Sequence, residues 1–221
     1  MIYYLFTLPL SGWELVAFMF AYIVAIVFAF TAHEFSHAAV AYWCGDPSAK
    51  AAGRFSLNPF KHMSGLGMLS FLFIGFGWAK PVPINPLHFK NYKRDTRLVS
   101  LSGITTNFIF AFIFSAIFFF TSPQMAESTN VFMMFLFYFL SLSISINLSL
   151  FFFNLLPIYP LDGFNFVASF MRPDNKFLQF MYRYGTMILL LIVILPVFDI
   201  LYYYVVGGIQ KLFFMLWGLA L

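Results

Sequence analysis

Long apolar stretches separated by short polar segments dominate this sequence. The four longest cover residues 13–43, 98–121, 131–156 and 187–204. Each is long enough to cross the roughly 30 Å hydrocarbon core of a bilayer as an α-helix. Residues 64–78 and 205–221 are also apolar but are shorter or interrupted by Gly and Lys, so they fit either spanning or re-entrant segments. The pattern predicts an all-α polytopic membrane protein with about four to six transmembrane helices.

The segment between the first two spans has a different pattern. Residues 51–59 alternate partly between apolar and polar side chains and end in the turn signal Asn58-Pro59. Residues 75–86 contain three prolines, which forbid a regular helix, and two glycines, which permit unusual backbone angles. We therefore predict a small membrane-associated β-hairpin between the first and second main spans, dipping into the bilayer from the cytosol.

The chain contains no internal repeat, heptad run or low-complexity linker, and no stretch polar enough to form a separate soluble domain. We predict a single membrane-embedded domain over residues 1–221. Its motif-bearing core would cover about residues 13–165, followed by C-terminal helices over about residues 183–221.

Composition and charge agree with a membrane location. Hydrophobic residues make up 62% of the chain and charged residues only 9%, far from the balance of a soluble domain. The net charge of +4 would suggest nucleic acid as partner of a soluble protein, but Lys and Arg concentrate here at 50–61, 80–97 and 172–183, whereas 122–130 has none. The basic loops are therefore expected in the cytosol and the N-terminus outside, with no nucleic-acid partner. The single cysteine, Cys44, excludes an intrachain disulfide.

The sharpest chemical signal is His33-Glu34-Phe35-Ser36-His37, an H-E-x-x-H pattern in an otherwise apolar predicted helix. Residues four apart share a helical face, so the imidazoles of His33 and His37 can converge on one zinc ion. Zinc lowers the pKa of bound water to about 7, so Glu34 can take a proton from that water and later deliver it to the leaving amine. The alternative is a purely structural role, in which these residues only pack the end of a span. An ionisable cluster inside a membrane helix costs free energy, however, and therefore indicates a functional site.

A catalytic zinc with two His ligands commonly takes a carboxylate as third ligand. Asp162 is the remaining candidate, because the other acidic residues belong to loops or to the opposite end of the spans. Two prolines break the helix just before Asp162-Gly163. A simple turn dipeptide would look the same, and the nearby H-E-x-x-H pattern favours ligation.

The motifs at 33–37 and 154–163, H-E-F-S-H and N-L-L-P-I-Y-P-L-D-G, resemble those of the site-2 protease family of intramembrane zinc metalloproteases. Further similarity lies at 57–62, 75–77, 80–83 and 103–107, so it extends through most of residues 32–163. The resemblance implies one Zn²⁺ held by His33, His37 and Asp162, with Glu34 as catalytic acid and base.

The resemblance also implies roles for three residues outside this group. Asn154 would lie near the site and hydrogen-bond the substrate or the developing oxyanion, although an interhelical hydrogen bond would explain it equally well. Gly75 and Gly77 would belong to a membrane-embedded loop whose edge adds the substrate as a strand. The element Gly103 to Asn107 fits close helix packing, and we expect packing to be its role.

These expectations describe a zinc endopeptidase that hydrolyses peptide bonds within or near transmembrane segments, acting on single-span membrane proteins or signal-peptide remnants. The family pattern suggests a minimal bacterial-type member without PDZ or CBS domains, in the inner membrane, with its site toward the cytosol. The oligomeric state is left open.

Two rival interpretations are weaker. A membrane zinc transporter could use the same His and Asp residues, but transporters usually carry repeated elements, and none is present in the sequence. A noncatalytic membrane scaffold would leave a complete ligand set and its base without a purpose.

Overall fold

The computed structural model describes residues 10, 12–74 and 79–219. Within these residues the fold is helical, with two single 3-10 turns, Pro59–Lys61 and Pro86–His88. The α-helices, numbered in chain order, are α1 Gly12–Trp43, α2 Ser48–Ala51, α3 Gly65–Ile74, α4 Tyr92–Ala126, α5 Val131–Leu155, α6 Asp162–Ala168, α7 Lys176–Ile194 and α8 Pro196–Gly218.

Four of the helices, α1, α4, α5 and α7, are long and apolar enough to cross a membrane. Many of their large apolar side chains are exposed, as expected where lipid rather than water surrounds the helices. The chain is therefore a multi-pass membrane protein. The first three of these helices agree with the predicted spans.

Helix α1 packs against its neighbours through a row of small residues. Ala17, Ala21, Ala25 and Ala29 follow one another at intervals of four and are at most 3% exposed. Small side chains let helix backbones approach closely in a membrane protein. Because the row continues four residues further to His33, the first histidine of the motif faces the interior of the bundle.

Helices α4 and α5 form the centre of the bundle and both pack against α1 and α8. A core between α4, α5 and α8 includes Phe114, Ile144, Leu148 and Phe213. The loop between α4 and α5 is short, and Asn130 caps the start of α5 by accepting a hydrogen bond from the Phe132 amide at 2.8 Å. The site therefore rests on long helices that pack along their length.

The predicted β-hairpin between the first two spans is wrong for residues 65–74, which form helix α3. Three of its ten residues are Leu and one is Met, both good helix formers, and Ile74 is its one β-branched residue. In the part of the chain that the structure describes, the strand pairing is limited to one isolated antiparallel bridge, Met63 with Ala79. Between the end of α2 and the 3-10 turn at Pro59, residues 52–58 form turns and irregular backbone instead of a strand, with Gly53 at a positive φ of 67°.

The chain has the predicted fourth candidate span in α7, but the predicted bounds, residues 187–204, are wrong because two helices meet inside them. Helix α7 ends at Ile194 and α8 begins at Pro196, with Leu195 extended at φ −80° and ψ 140°. Proline has no amide hydrogen to continue a helix and disfavours helical geometry in the preceding residue. Residues 205–218, left open between a spanning and a re-entrant segment, belong to α8.

Candidate metal centre

Three donor atoms from two distant parts of the chain converge near the end of α1. Nε2 of His33 and Nε2 of His37 lie 3.1 Å apart. Oδ2 of Asp162 lies 3.2 Å from Nε2 of His33 and 3.1 Å from Nε2 of His37. Both imidazoles are buried and the carboxylate is half-buried. The three side chains singled out from the sequence thus form a group that could hold a metal ion.

The spacing of the donors suits a tetrahedral zinc site. With bonds of about 2.0–2.1 Å, two ligands of tetrahedral zinc lie about 3.3 Å apart, close to the 3.1–3.2 Å separations found here. Two imidazoles with one carboxylate are also a typical donor set of catalytic zinc, which leaves a fourth position for water or substrate. The residues present therefore fit the ion.

Hydrogen bonds to α4 orient both imidazoles. Nδ1 of His37 lies 2.9 Å from the backbone carbonyl oxygen of Val99. A carbonyl can only accept, so this nitrogen carries the hydrogen and leaves the lone pair of Nε2 for the metal group. Nδ1 of His33 lies 2.6 Å from Oδ1 of Asn107. Asn107 follows Val99 by eight residues in α4, which is about two helical turns.

Gly103 is what lets α4 approach the imidazoles. A Cβ at this position would lie 2.6 Å from Nε2 of His37 and 2.7 Å from Nδ1 of His33, closer than real Cβ contacts. Close packing was the expected role of the Gly103 to Asn107 element. The structure shows that this packing is against the histidines themselves, and that Asn107 also makes a direct hydrogen bond to one of them.

The L-D-G sequence positions the carboxylate. Asp162 is the first residue of α6, directly after the turn that follows α5. A Cβ on Gly163 would lie 2.6 Å from the backbone of both Leu155 and Leu156, so only glycine allows α6 to start against the end of α5. Gly163 therefore does more than form a turn. It lets the start of α6 lie close to the end of α5, and this packing holds Asp162 beside the histidines.

Glu34 is held by a different part of the chain. Its side chain is buried, and its Oε2 accepts a hydrogen bond of 3.1 Å from the Val82 amide. Val82 lies between Pro81 and Pro83, so this is the one amide hydrogen available in the Pro-Val-Pro run. The hydrogen bond occupies one carboxylate oxygen and leaves the other for a proton acceptor role.

A cavity of about 610 Å³ leads to the metal group, within the roughly 300–1,000 Å³ typical of ligand sites. His37 and Asp162 are among the residues that line it. Polar and basic residues from α4, α6 and the turn after α6 line other parts of its wall, including Lys93, Thr96, Ser100, Asn165 and Arg172. Water and polar peptide groups therefore have a route to the site.

The family resemblance named three further residues, Asn154, Gly75 and Gly77. Asn154 is half-buried, and its described hydrogen bond runs to the backbone oxygen of Leu150, 3.0 Å away in the same helix. Gly75 and Gly77 lie outside the described residues. Their proposed contacts with substrate stay predictions.

Sequence reasoning missed two residues close to the metal group. Asn147 in α5 is fully buried and bonds to Asn107, and Val82 donates to Glu34. A buried asparagine in an apolar helix could have signalled a polar contact between helices. Its partner lies 40 positions away, and the sequence alone does not give that pairing.

Comparisons with known proteins agree with the chemistry of this group. A model of peptidase family M50 matches residues 123–192, a stretch that contains Asp162. The Bacillus subtilis (strain 168) protein named "Putative zinc metalloprotease YwhC" is 37% identical over 154 residues, covering 70% of each chain. "Putative zinc metalloprotease Rip2" of Mycolicibacterium smegmatis is 25% identical over 186 residues, covering 78% of this chain and 68% of the relative. No solved structure matches the chain.

The chain is a multi-pass membrane protein in which two histidines and one carboxylate form a donor group beside a glutamate. These features are typical of membrane zinc metalloproteases. The chain belongs to peptidase family M50, the site-2 protease family. The predicted family, enzyme class and zinc dependence are confirmed, and these findings favour the protease over the transporter and scaffold interpretations.

Proposed function

We propose that this metalloprotease cleaves membrane proteins within or near their transmembrane segments, with His33, His37 and Asp162 holding the zinc and Glu34 moving the proton. The observation that carries the proposal is the triangle of donor atoms with sides of 3.1, 3.1 and 3.2 Å. It lies inside a bundle of apolar helices, so a substrate must reach it in the plane of the membrane or from the adjoining cavity.

The position of the site along α1 supports cleavage below the membrane surface. Trp43 at the end of α1 is 70% exposed, and exposed tryptophans favour the membrane interface. His37 precedes it by six residues and His33 by ten, which corresponds to about 9 and 15 Å along a helix. The donor atoms would thus lie beneath the headgroups, within reach of a substrate segment that enters the hydrocarbon region.

The chain's own residues supply the steps around the bond that is cut. A zinc ion held by His33, His37 and Asp162 would supply Lewis-acid chemistry for the scissile carbonyl and would lower the pKa of a water molecule to about 7. Glu34 accepts the proton from the attacking water on its free oxygen and gives it to the leaving amine. The Val82 amide holds the other carboxylate oxygen, so Glu34 stays aimed during both transfers.

The distribution of basic residues supports a cytosolic location for this end of the bundle. Lys50, Arg54 and Lys61 follow α1, and Arg172 and Lys176 lie between α6 and the first turn of α7. Under the positive-inside tendency these loops face the cytosol. We therefore place the site toward the cytosolic side of a bacterial inner membrane, with single-span proteins or signal-peptide remnants as substrates.

The test is proteolysis by purified protein in proteoliposomes that contain a panel of single-span membrane proteins and signal-peptide remnants, with soluble proteins added as comparison substrates. Glu34→Gln should retain zinc and lose roughly 10²–10⁴-fold in rate, and a zinc chelator should abolish cleavage by the wild type. Glu14→Gln is the matched control, because Glu14 lies at the opposite end of α1 and bonds to Tyr138. Full activity of Glu34→Gln, or cleavage confined to soluble substrates, would contradict the proposal.

A further inference from the structure

Two fully buried asparagines connect His33 in α1 to helix α5 through hydrogen bonds. Asn107 in α4 and Asn147 in α5 are both 0% exposed. Nδ2 of Asn107 donates to Oδ1 of Asn147 at 2.8 Å, and Nδ2 of Asn147 donates to the backbone oxygen of Ser143 at 2.8 Å. Together with the contact between Asn107 and His33, these bonds form a polar chain through α1, α4 and α5, which we call the asparagine relay.

The direction of every bond in the relay follows from its last member. The Ser143 group is a backbone carbonyl, which can only accept. The Asn147 amide must therefore turn its NH₂ toward Ser143 and its oxygen toward Asn107. Asn107 in turn presents its NH₂ to Asn147, and the same NH₂ lies 3.4 Å from the backbone oxygen of Ala29. Two acceptors thus fix the orientation of the Asn107 amide.

The consequence falls on the metal ligand. With its NH₂ engaged, Asn107 has only Oδ1 left for His33, so Nδ1 of His33 must carry the hydrogen. In the neutral imidazole Nε2 then carries the free lone pair, and it faces His37 and Asp162. If the Asn107 amide turned over, it would donate to Nδ1 and move the hydrogen to Nε2, which could no longer bind a metal.

We propose that Asn147, through Asn107, is a positioning residue that fixes the tautomer of His33 in which Nε2 can bind zinc. The proposal rests on the proposed role of His33 as a ligand. His37 needs no such relay, since Val99 accepts directly from its Nδ1. The effect of Asn147 should therefore be confined to one of the two imidazoles.

A purely structural role for the asparagines makes different predictions. Interhelical hydrogen bonds between polar side chains stabilise membrane bundles by about 0.6–2 kcal/mol, and losing one lowers stability without selecting a tautomer. Ser115 provides the matched case, because it is fully buried in α4 and accepts a hydrogen bond from Trp217 Nε1 at 2.9 Å. Ser115→Ala removes an interhelical bond that has no connection to the metal group.

The first experiment compares the wild type, Asn147→Ala and Ser115→Ala as full chains in detergent micelles. Zinc affinity is measured by competition with a chelator. The protonated ring nitrogen is identified by ¹⁵N NMR of the zinc-free proteins, recorded at alkaline pH so that neutral imidazoles are observed. The chain has four histidines, so eight ring-nitrogen signals need assignment. Asn147→Ala should weaken zinc binding about 10–100-fold and shift His33 toward the Nε2-protonated form, with His37 unchanged. Ser115→Ala should alter neither property.

A second variant keeps the proposal testable if Asn147→Ala folds poorly. A carboxylate at position 107 only accepts, so Asn107→Asp should hold Nδ1 of His33 protonated whatever its neighbour does. In that background, Asn147→Ala should lose no more than about twofold in zinc affinity. A full additional loss in the double variant would show that Asn147 acts on stability alone and would overturn the relay.

The result also separates this proposal from the metal assignment. If His33→Ala bound zinc as tightly as the wild type, the proposed ligand set would fail. If His33→Ala lost zinc but Asn147→Ala kept both full affinity and the wild-type tautomer, only the relay would fail.

Discussion

The two histidines and Glu34 lie on neighbouring turns of α1, yet different parts of the molecule hold them. The imidazoles are oriented from inside the bundle by α4, with Val99 and Asn107 as hydrogen-bond acceptors. Glu34 is held from the loop between α3 and α4, through the Val82 amide. Metal binding and proton transfer should therefore respond separately to perturbations of the bundle and of the loop.

The loop side is itself tied down at several points. The Lys80 amide donates to the backbone oxygen of His62 at 2.7 Å, and Arg54 donates to the Lys80 oxygen at 3.2 Å. The Asn85 amide donates to Asp46 at 2.7 Å. The amides of Lys80, Val82 and Asn85 are thus all occupied, and we infer that this stretch serves to position Glu34.

The largest loss of zinc affinity and activity is expected from adding a methyl group to α4, the helix that orients the imidazoles. Gly103→Ala would bring a Cβ to within 2.6–2.7 Å of both imidazoles, so the rings must move away from their donor positions. Zinc affinity should fall by at least roughly 100-fold and activity with it. Isothermal titration with zinc and the proteolysis assay measure the two losses.

Gly208→Ala is the control for that substitution, since a Cβ there meets nothing within 4 Å. It should leave zinc binding and cleavage as they are. Tight zinc binding by Gly103→Ala would mean that α4 need not approach the imidazoles closely. The claim that α4 orients them for metal binding would then be wrong.

An intermediate effect is expected from removing one hydrogen on the loop side. Val82→Pro deletes the amide that holds Glu34, and the residue is already restricted to extended geometry because Pro83 follows it. Cleavage should slow roughly 10–100-fold through a lower kcat, with zinc content unchanged. Steady-state kinetics and metal analysis of the purified variant test both parts.

Val82→Ala trims the same side chain but keeps the amide, so it should cleave at close to the wild-type rate. If Val82→Pro lost zinc together with activity, the loop would support metal binding as well as proton transfer. The separate roles of the loop and the helix bundle would then be wrong.

How far the sequence predicted this site depended on the distance along the chain over which each relation acts. The spacing of His33 and His37 is local to one helix, and few carboxylates competed with Asp162, so these residues could be chosen before the fold was known. Their convergence agrees with that choice, while their roles as ligands stay predictions. The contact between Asn107 and Asn147 depends on the register of two packed helices, which no local pattern encodes.

The errors in the fold have similarly specific causes. Residues 65–74 include three Leu and only one β-branched residue and form a helix, although the prolines and glycines that follow suggested a hairpin. The break before Pro196 was hidden inside a continuous apolar run. Hydropathy reports whether a segment suits the membrane, and says less about where one helix ends and the next begins.

The smallest expected effect concerns the attachment of the loop to the end of α1. Asp46 is fully buried and accepts hydrogen bonds from Ser48, Asn85 and His88. Burial raises the pKa of its carboxyl group, but the hydrogen bonds, with Ser48 and His88 foremost, outweigh burial and leave the pKa below its ordinary value. The folded state therefore binds the ionised form better than the unfolded state does.

The sign of the pH effect follows from that direction. The stabilisation by ionised Asp46 is fully present above the unfolded pKa of about 3.9 and is lost as the pH falls through the lower pKa of the folded protein. Asp46→Asn should thus unfold more easily at pH 7, by about 1–2 kcal/mol, and the difference should shrink below about pH 3. Denaturant unfolding in micelles at the two pH values measures it. Zinc affinity should not change and activity should fall less than about tenfold, because the loop stays attached through Arg54 and His62. A loss of zinc in Asp46→Asn would show that the loop supports the histidines as well as Glu34.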